Sequence, residues 1–273
     1  MKTDIFSNSY VLVGLILALL LTVQSSLYSA DQKIISETRG IPVYNPPVKN
    51  AEVTRRIAGE ADKTNQETVS SRGLTRGLTR GLARGLTRKG SENSEISLPL
   101  QMAPLASQHT GLTSNPQPAL WWYLSGPWPD KIEFRLNEIG VAEPLVDTDI
   151  KGPDKEGIYC LNLADYHVSL KPDVDYEWFL TIVSDKDERS ADFMASAVIR
   201  YVQPSDELSK RAANTPKEKR YYMYADQGYW YDAIDSLSRL IEAKPGDKTL
   251  KTYRAALLNQ VKLSAAAACD TRF

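Results

Sequence analysis

The chain has only two cysteines and two histidines in 273 residues, and this scarcity excludes several classes of protein. Cys160 and Cys269 are too few for a disulfide scaffold. The first falls in an apparent strand and the second in an Ala-rich tail, so they stand as two free thiols or, in an exported chain, as one bridge. Neither His109 nor His167 lies at ligand spacing from a second histidine or a cysteine, so neither a metal nor a cofactor is expected. Excess charge is lacking too. With 33 basic and 34 acidic residues, a formal net charge of -1, nothing pulls the whole chain toward nucleic acid or an anionic surface. No phosphate-cradling glycine loop, no nucleophile elbow and no catalytic constellation occurs, so catalytic residues are expected to be none.

Long apolar runs are confined to residues 10–23, shorter than the roughly 17–25 residues that a comfortable membrane span needs. Lys2 precedes this run and a small polar stretch ending at Ala30 follows it, which is the layout of a secretory signal over residues 1–30. Tyr28 is large for the position three before the cut, so retention as an uncleaved anchor is the alternative. Export to the periplasm or beyond is the expectation.

Residues 31–97 are polar and poor in aromatics, and they read as a disordered arm. Within them a four-residue unit repeats, placing Arg72, Arg76, Arg80, Arg84 and Arg88 at constant spacing. That period would set every arginine on one helical face, as a surface helix on anionic lipid or polysaccharide requires. The glycines between them cost about 1 kcal/mol each relative to alanine, which opposes an isolated helix. The repeat is therefore either a low-complexity linker or an electrostatic tether, and specific nucleic-acid binding is not expected.

From residue 98 the pattern changes to strands. Ala119-Leu120-Trp121-Trp122-Tyr123-Leu124 stops at Gly126-Pro127 and reads as a strand buried on both faces. Lys131 to Asn137 alternates, with Ile132, Phe134 and Leu136 toward a core. Weaker strand character runs over 141–150, then stronger runs over 158–163, 176–183 and 194–202. With no helical period between them, about six or seven strands over 98–203 predict an antiparallel immunoglobulin-like β-sandwich. The loop carrying Asp185, Asp187 and Asp192 could gather round calcium, although Lys186 and Arg189 would partly neutralise it, and a solvated connection with Arg189 pairing locally is the plainer reading. Asp173, Asp175 and Glu177 could form an acid/base pair or simply a solvated face.

Beyond Pro204 the period becomes helical over 204–264, with a flexible Ala-rich tail over 265–273. Thr215-Pro216-Lys217-Glu218 looks like a helix start, Gly228 like its end, and Trp230, Ala233, Ile234, Leu237 and Ile241 like one stripe of a second helix. Asp247 is placed to cap a third. Gly228 at the turn, Ala233 at the close approach and Pro245 at the end are similar to a single tetratricopeptide unit, though Lys217 and Arg220 depart from that pattern and no second copy follows. The fold class expected is α+β: a sandwich, then a three- to four-helix, tetratricopeptide-like appendage. Tyr221, Tyr222, Tyr229 and Trp230 either fill the joint between these parts or line an aromatic groove for another envelope or secreted protein.

The aromatic strand at 119–123, the run from Trp178 to Asp192, and Thr215-Pro216-Lys217-Glu218 leading to Gly228-Tyr229-Trp230-Tyr231-Asp232-Ala233 together resemble domain of unknown function 928. The resemblance spans about residues 98–263 and implies an exported protein, mostly of cyanobacteria; it brings no catalytic residues. The function expected is a non-catalytic binding or assembly module of the envelope. Its rivals are a hydrolase, such as a carbohydrate-active enzyme, whose carboxylates meet only in three dimensions, and a surface tether acting through the arginine repeat.

Overall fold

The computed structural model describes residues 40–47, 52–59, 98–184 and 189–272. The leader at 1–30, the arginine repeat and the calcium-loop residues Asp185 and Asp187 lie outside the described residues. The described residues from Pro42 onward form one compact unit. Among the described residues eight strands come first, and five α-helices follow at the C-terminal end.

The strands are β1 (Met102–Pro104), β2 (Gly111–Thr113), β3 (Ala119–Leu124), β4 (Lys131–Glu138), β5 (Val146–Lys151), β6 (Gly157–Asn162), β7 (Asp175–Ile182) and β8 (Phe193–Tyr201). They make a small sheet in the order β1-β3-β6 and a large one in the order β2-β8-β7-β4-β5. Among the named strands the pairings are antiparallel except β2 with β8. β3 is buried at every position because it is the centre of the small sheet. β4 alternates as its sequence does: Ile132, Phe134 and Leu136 are fully buried, and Glu133, Arg135 and Asn137 point the other way. β1 and β2 escape a sequence reading because three residues are too few to display a period.

The helices are α1 (Asp206–Asn214), α2 (Arg220–Asp226), α3 (Trp230–Ala243), α4 (Lys248–Gln260) and α5 (Ser264–Thr271). Asp247 caps α4, its Oδ1 accepting from the amides of Thr249 and Leu250. Thr215 does not start a helix. Its hydroxyl donates to the Arg211 carbonyl at 2.7 Å and so closes α1, whose own cap is Ser205; a 3-10 turn at Lys217–Lys219 then intervenes before α2. The Ala-rich tail expected to be flexible is the helix α5, with Ala266, Ala267 and Asp270 buried. Small side chains let it approach α4 closely, and Asp270 there meets Arg254 at 2.6 Å. Among the described residues no helix is long and apolar enough to cross a membrane.

Two pieces of the arm expected to be disordered are held against the body. Arg56 exchanges backbone hydrogen bonds with Ser196 of β8, and Ala58 does the same with Met102 of β1, so residues 56–58 tie the two sheets together. Gln260 of α4 grips residues 42–44, accepting from the Tyr44 amide and donating to the Pro42 carbonyl. The Asn45 amide donates to the Ala225 carbonyl of α2. Low average hydrophobicity concealed these contacts, which depend on a few backbone groups and one aromatic ring.

Candidate functional site

The first turn of α3 is the joint between helices and sheets. Trp230 Nε1 donates to the Leu105 carbonyl after β1 at 2.8 Å, and Trp178 Nε1 of β7 donates to Tyr231 Oη at 3.0 Å. Asp232 accepts from Ser114, from the amide at 2.8 Å and from the hydroxyl at 2.6 Å, just beyond β2. One turn on, Asp235 accepts from Trp121 Nε1 of β3 at 2.9 Å, and Arg239 stacks over the same indole. Gly111 leaves room for this docking, since a Cβ there would sit 2.5 Å from the Tyr231 ring.

The aromatic candidates are therefore mostly interior. Trp230 is completely buried, with the Tyr44 ring edge-on at 4.7 Å, so no partner reaches it in this arrangement. Tyr221 is buried, and Tyr222 and Tyr229 are half-buried. Tyr221, Tyr222 and Tyr253 form their own ring cluster, where loss of hydration pushes the Tyr221 hydroxyl up to about 12. Among the described residues, the exposed large apolar side chains are all aliphatic. The arginines of the repeat, from Arg72 to Arg88, lie outside the described residues.

The exposed chemistry lies on the outward face of the large sheet. Arg189, in a 3-10 turn after β7, reaches across to β4: its Nη1 and Nη2 donate to Glu133 Oε1 and Oε2 at 3.0 and 2.8 Å. Its Nε meets Asp192 Oδ2 at 2.8 Å. Beside this bridge are a cavity of about 150 Å³, bordered by Asn137, Phe179, Thr181 and Met194, and one of about 600 Å³, bordered by Trp128, Asp149 and Val183. Glu133 and Arg189 line both, so the two cavities adjoin at this bridge and are treated together as one cleft. Further ion pairs flank it, Lys131 with Asp149 and Arg135 with Asp147, each at 2.8 Å.

Electrostatics separate the two carboxylates of this cleft. The Arg189 hydrogen bonds hold the Glu133 carboxyl below its ordinary range. Loss of hydration raises that of Asp192, with Arg189 pulling the other way. Asp192 Oδ1 and Asn137 Oδ1 are shielded from solvent and have no hydrogen-bond partner among the described residues. The three-dimensional meeting of carboxylates that a hydrolase needs thus exists here, but one guanidinium holds both groups. Two of the other carboxylate candidates are also occupied: Arg200 donates twice to Asp175 at 2.7 Å, and the Ser196 hydroxyl donates to Glu177.

Cys160 and Cys269 are free thiols, and burial pushes Cys160 up to about 12, too high for a ready nucleophile. Among the described residues no group of three or more His, Cys, Asp or Glu side chains could hold a metal. In the sequence Arg189 stands out as a residue that pairs locally and Asp192 as a calcium candidate, but nothing there joins Glu133 to them. The signal available was the outward register of β4 and β7, in which charged residues alternate with core residues and Phe179 stands among polar ones.

A family model described as Domain of Unknown Function (DUF928) matches residues 75–270. No curated protein matches the chain.

Proposed function

We propose a role for this chain, which belongs to the DUF928 family: it is an exported, non-catalytic binding module of the cell envelope, and it binds at the outer face of its large sheet. The observation that carries the reading is the Arg189 bridge between Glu133 and Asp192, which builds a shaped, polar, half-exposed cleft while tying up the carboxylates that catalysis would use. In finer terms, the two sheets form an immunoglobulin-like sandwich. The pair α2 and α3 is a single tetratricopeptide-like unit, a reading supported by Gly228 at φ +81 in the turn and the fully buried Ala233 beyond it. Its groove is taken by residues 42–47 of the same chain, which leaves the sheet as the face for partners.

The test is co-sedimentation of the purified protein with the cell-envelope fraction, comparing wild type with the double variant Glu133→Ala, Arg189→Ala. Retention should fall about tenfold or more, as expected for a lost set of charge-assisted contacts. Equal retention would place the binding surface elsewhere. The hydrolase reading has one observation in its favour, the two carboxylates sharing a cleft. It would take first place if the protein released reducing ends from envelope polysaccharide at a rate abolished by Glu133→Gln.

A further inference from the structure

We infer that the ligand of this cleft is a neutral saccharide chain lying along the outer face of the large sheet. The inference rests on the binding reading above and names its ligand. Charge is the first argument. Lys131 is paired with Asp149 and Arg135 with Asp147, but the single Arg189 serves both Glu133 and Asp192, and Asp130 adds a further carboxylate, so the described lining carries an excess of negative charge. An anionic ligand would meet this excess and would also have to break an existing pair to reach a cation, and it would gain little by doing so.

Spare hydrogen-bonding capacity is the second. A guanidinium has five donors and a carboxylate about four acceptor sites, and the pairs described use only part of either. Donors and acceptors therefore stand side by side in the cleft, matching a hydroxyl, which both gives and receives. Asp192 Oδ1 and Asn137 Oδ1, in two residues that border the smaller cavity, still lack a donor among the described residues, and a ligand hydroxyl is the kind of group that satisfies such atoms.

Third, Phe179 and Met194 give this polar surface an apolar patch, and the C–H face of a pyranose needs such a patch beside its hydroxyl partners. Two cavities side by side at Glu133 and Arg189 give room for more than one linked ring. A peptide would need a deep apolar anchor pocket, and the large aromatic beside the cleft, Trp128, is itself buried at 2% exposure.

The experiment is native gel electrophoresis of the full chain through gels containing a neutral α-glucan, a neutral β-glucan, polygalacturonate or dextran sulfate. Retardation should occur with a neutral glucan and persist at raised salt. Phe179→Ala and Arg189→Lys should each weaken it about tenfold at unchanged thermal midpoint, the lysine variant because it keeps the charge but loses the planar fork. Retardation confined to the anionic polymers, or neutral binding unchanged in both variants, would overturn the inference. So would absence of neutral binding: if envelope retention still required Glu133 and Arg189, the binding reading would survive alone, and if it did not, both would fall.

Discussion

Trp178 Nε1 donates to Tyr231 Oη at 3.0 Å with both rings buried, so a strand at the middle of the large sheet and the first turn of α3 share a single hydrogen bond in the core. Burial pushes the Tyr231 hydroxyl well above its ordinary value, so it remains a neutral donor and acceptor at all physiological pH. Tyr231→Phe would leave the Trp178 N–H without its partner. The expected cost is about 1–3 kcal/mol, seen as a lower urea midpoint at unchanged slope. An unchanged midpoint would mean that this hydrogen bond adds nothing to the packing and to the other hydrogen bonds of the joint.

Asp232 gives the same joint a pH dependence. Protein crowds its carboxyl, and loss of hydration pushes it up to about 6 even though the Ser114 hydrogen bonds favour the charged form. A carboxyl whose folded value is raised stabilises the fold most below its unfolded value, near 4, and loses that contribution as pH climbs through 6. Asp232→Asn should cancel the dependence. The stability difference between wild type and variant should therefore shift against wild type from pH 4 to pH 7, by up to about 3 kcal/mol. A difference constant across this window would refute the raised value.

The sheets were largely legible because their signal is local: the alternation of β4 and the unbroken apolar run of β3 each lie within one segment. The stripe on α3 was legible for the same reason, and Trp230, Ala233, Ile234, Leu237 and Ile241 are all buried as its period implies. What stayed hidden depends on partners remote in sequence. Glu133 and Arg189 are 56 positions apart, and neither announces the other. Thr215 satisfies the local pattern of a helix start, yet its hydroxyl turns back to the Arg211 carbonyl, because Ser205 had already begun a helix there. The Ala-rich tail looks featureless until Asp270 finds Arg254.

That last pair predicts how firmly the tail is held. Arg254 donates to both oxygens of Asp270, at 2.7 and 2.6 Å, and to the Ser238 hydroxyl at 2.9 Å, with the two charged side chains 7% and 5% exposed. Removing one partner from such a pair strands the other charge in a poorly hydrated place, so Asp270→Ala should cost about 3–5 kcal/mol. Limited proteolysis from the C-terminus would register it as early loss of α5. A variant as resistant as wild type would show that water hydrates Arg254 once the carboxylate is gone.

Residues 42–47 and the α2–α3 turn should behave as one unit. Gly228 sits at φ +81, where a side chain is strained, and a Cβ there would also come within 3.0 Å of the Asn45 carbonyl oxygen, so Gly228→Ala should cost about 1–2 kcal/mol or more. Tyr44→Ala removes the ring that stands against Trp230, at a cost of about 1.5–3 kcal/mol, and should raise the quenching of tryptophan emission by acrylamide as Trp230 becomes accessible. Once Tyr44 has been truncated, the segment is free to lift from Gly228, and the added methyl then has less to displace. The double variant should therefore lose less stability than the two single variants together, with a coupling of about 0.5 kcal/mol or greater. Strict additivity in that cycle would mean that the segment touches Trp230 and Gly228 independently, and that lifting one end leaves the other in place.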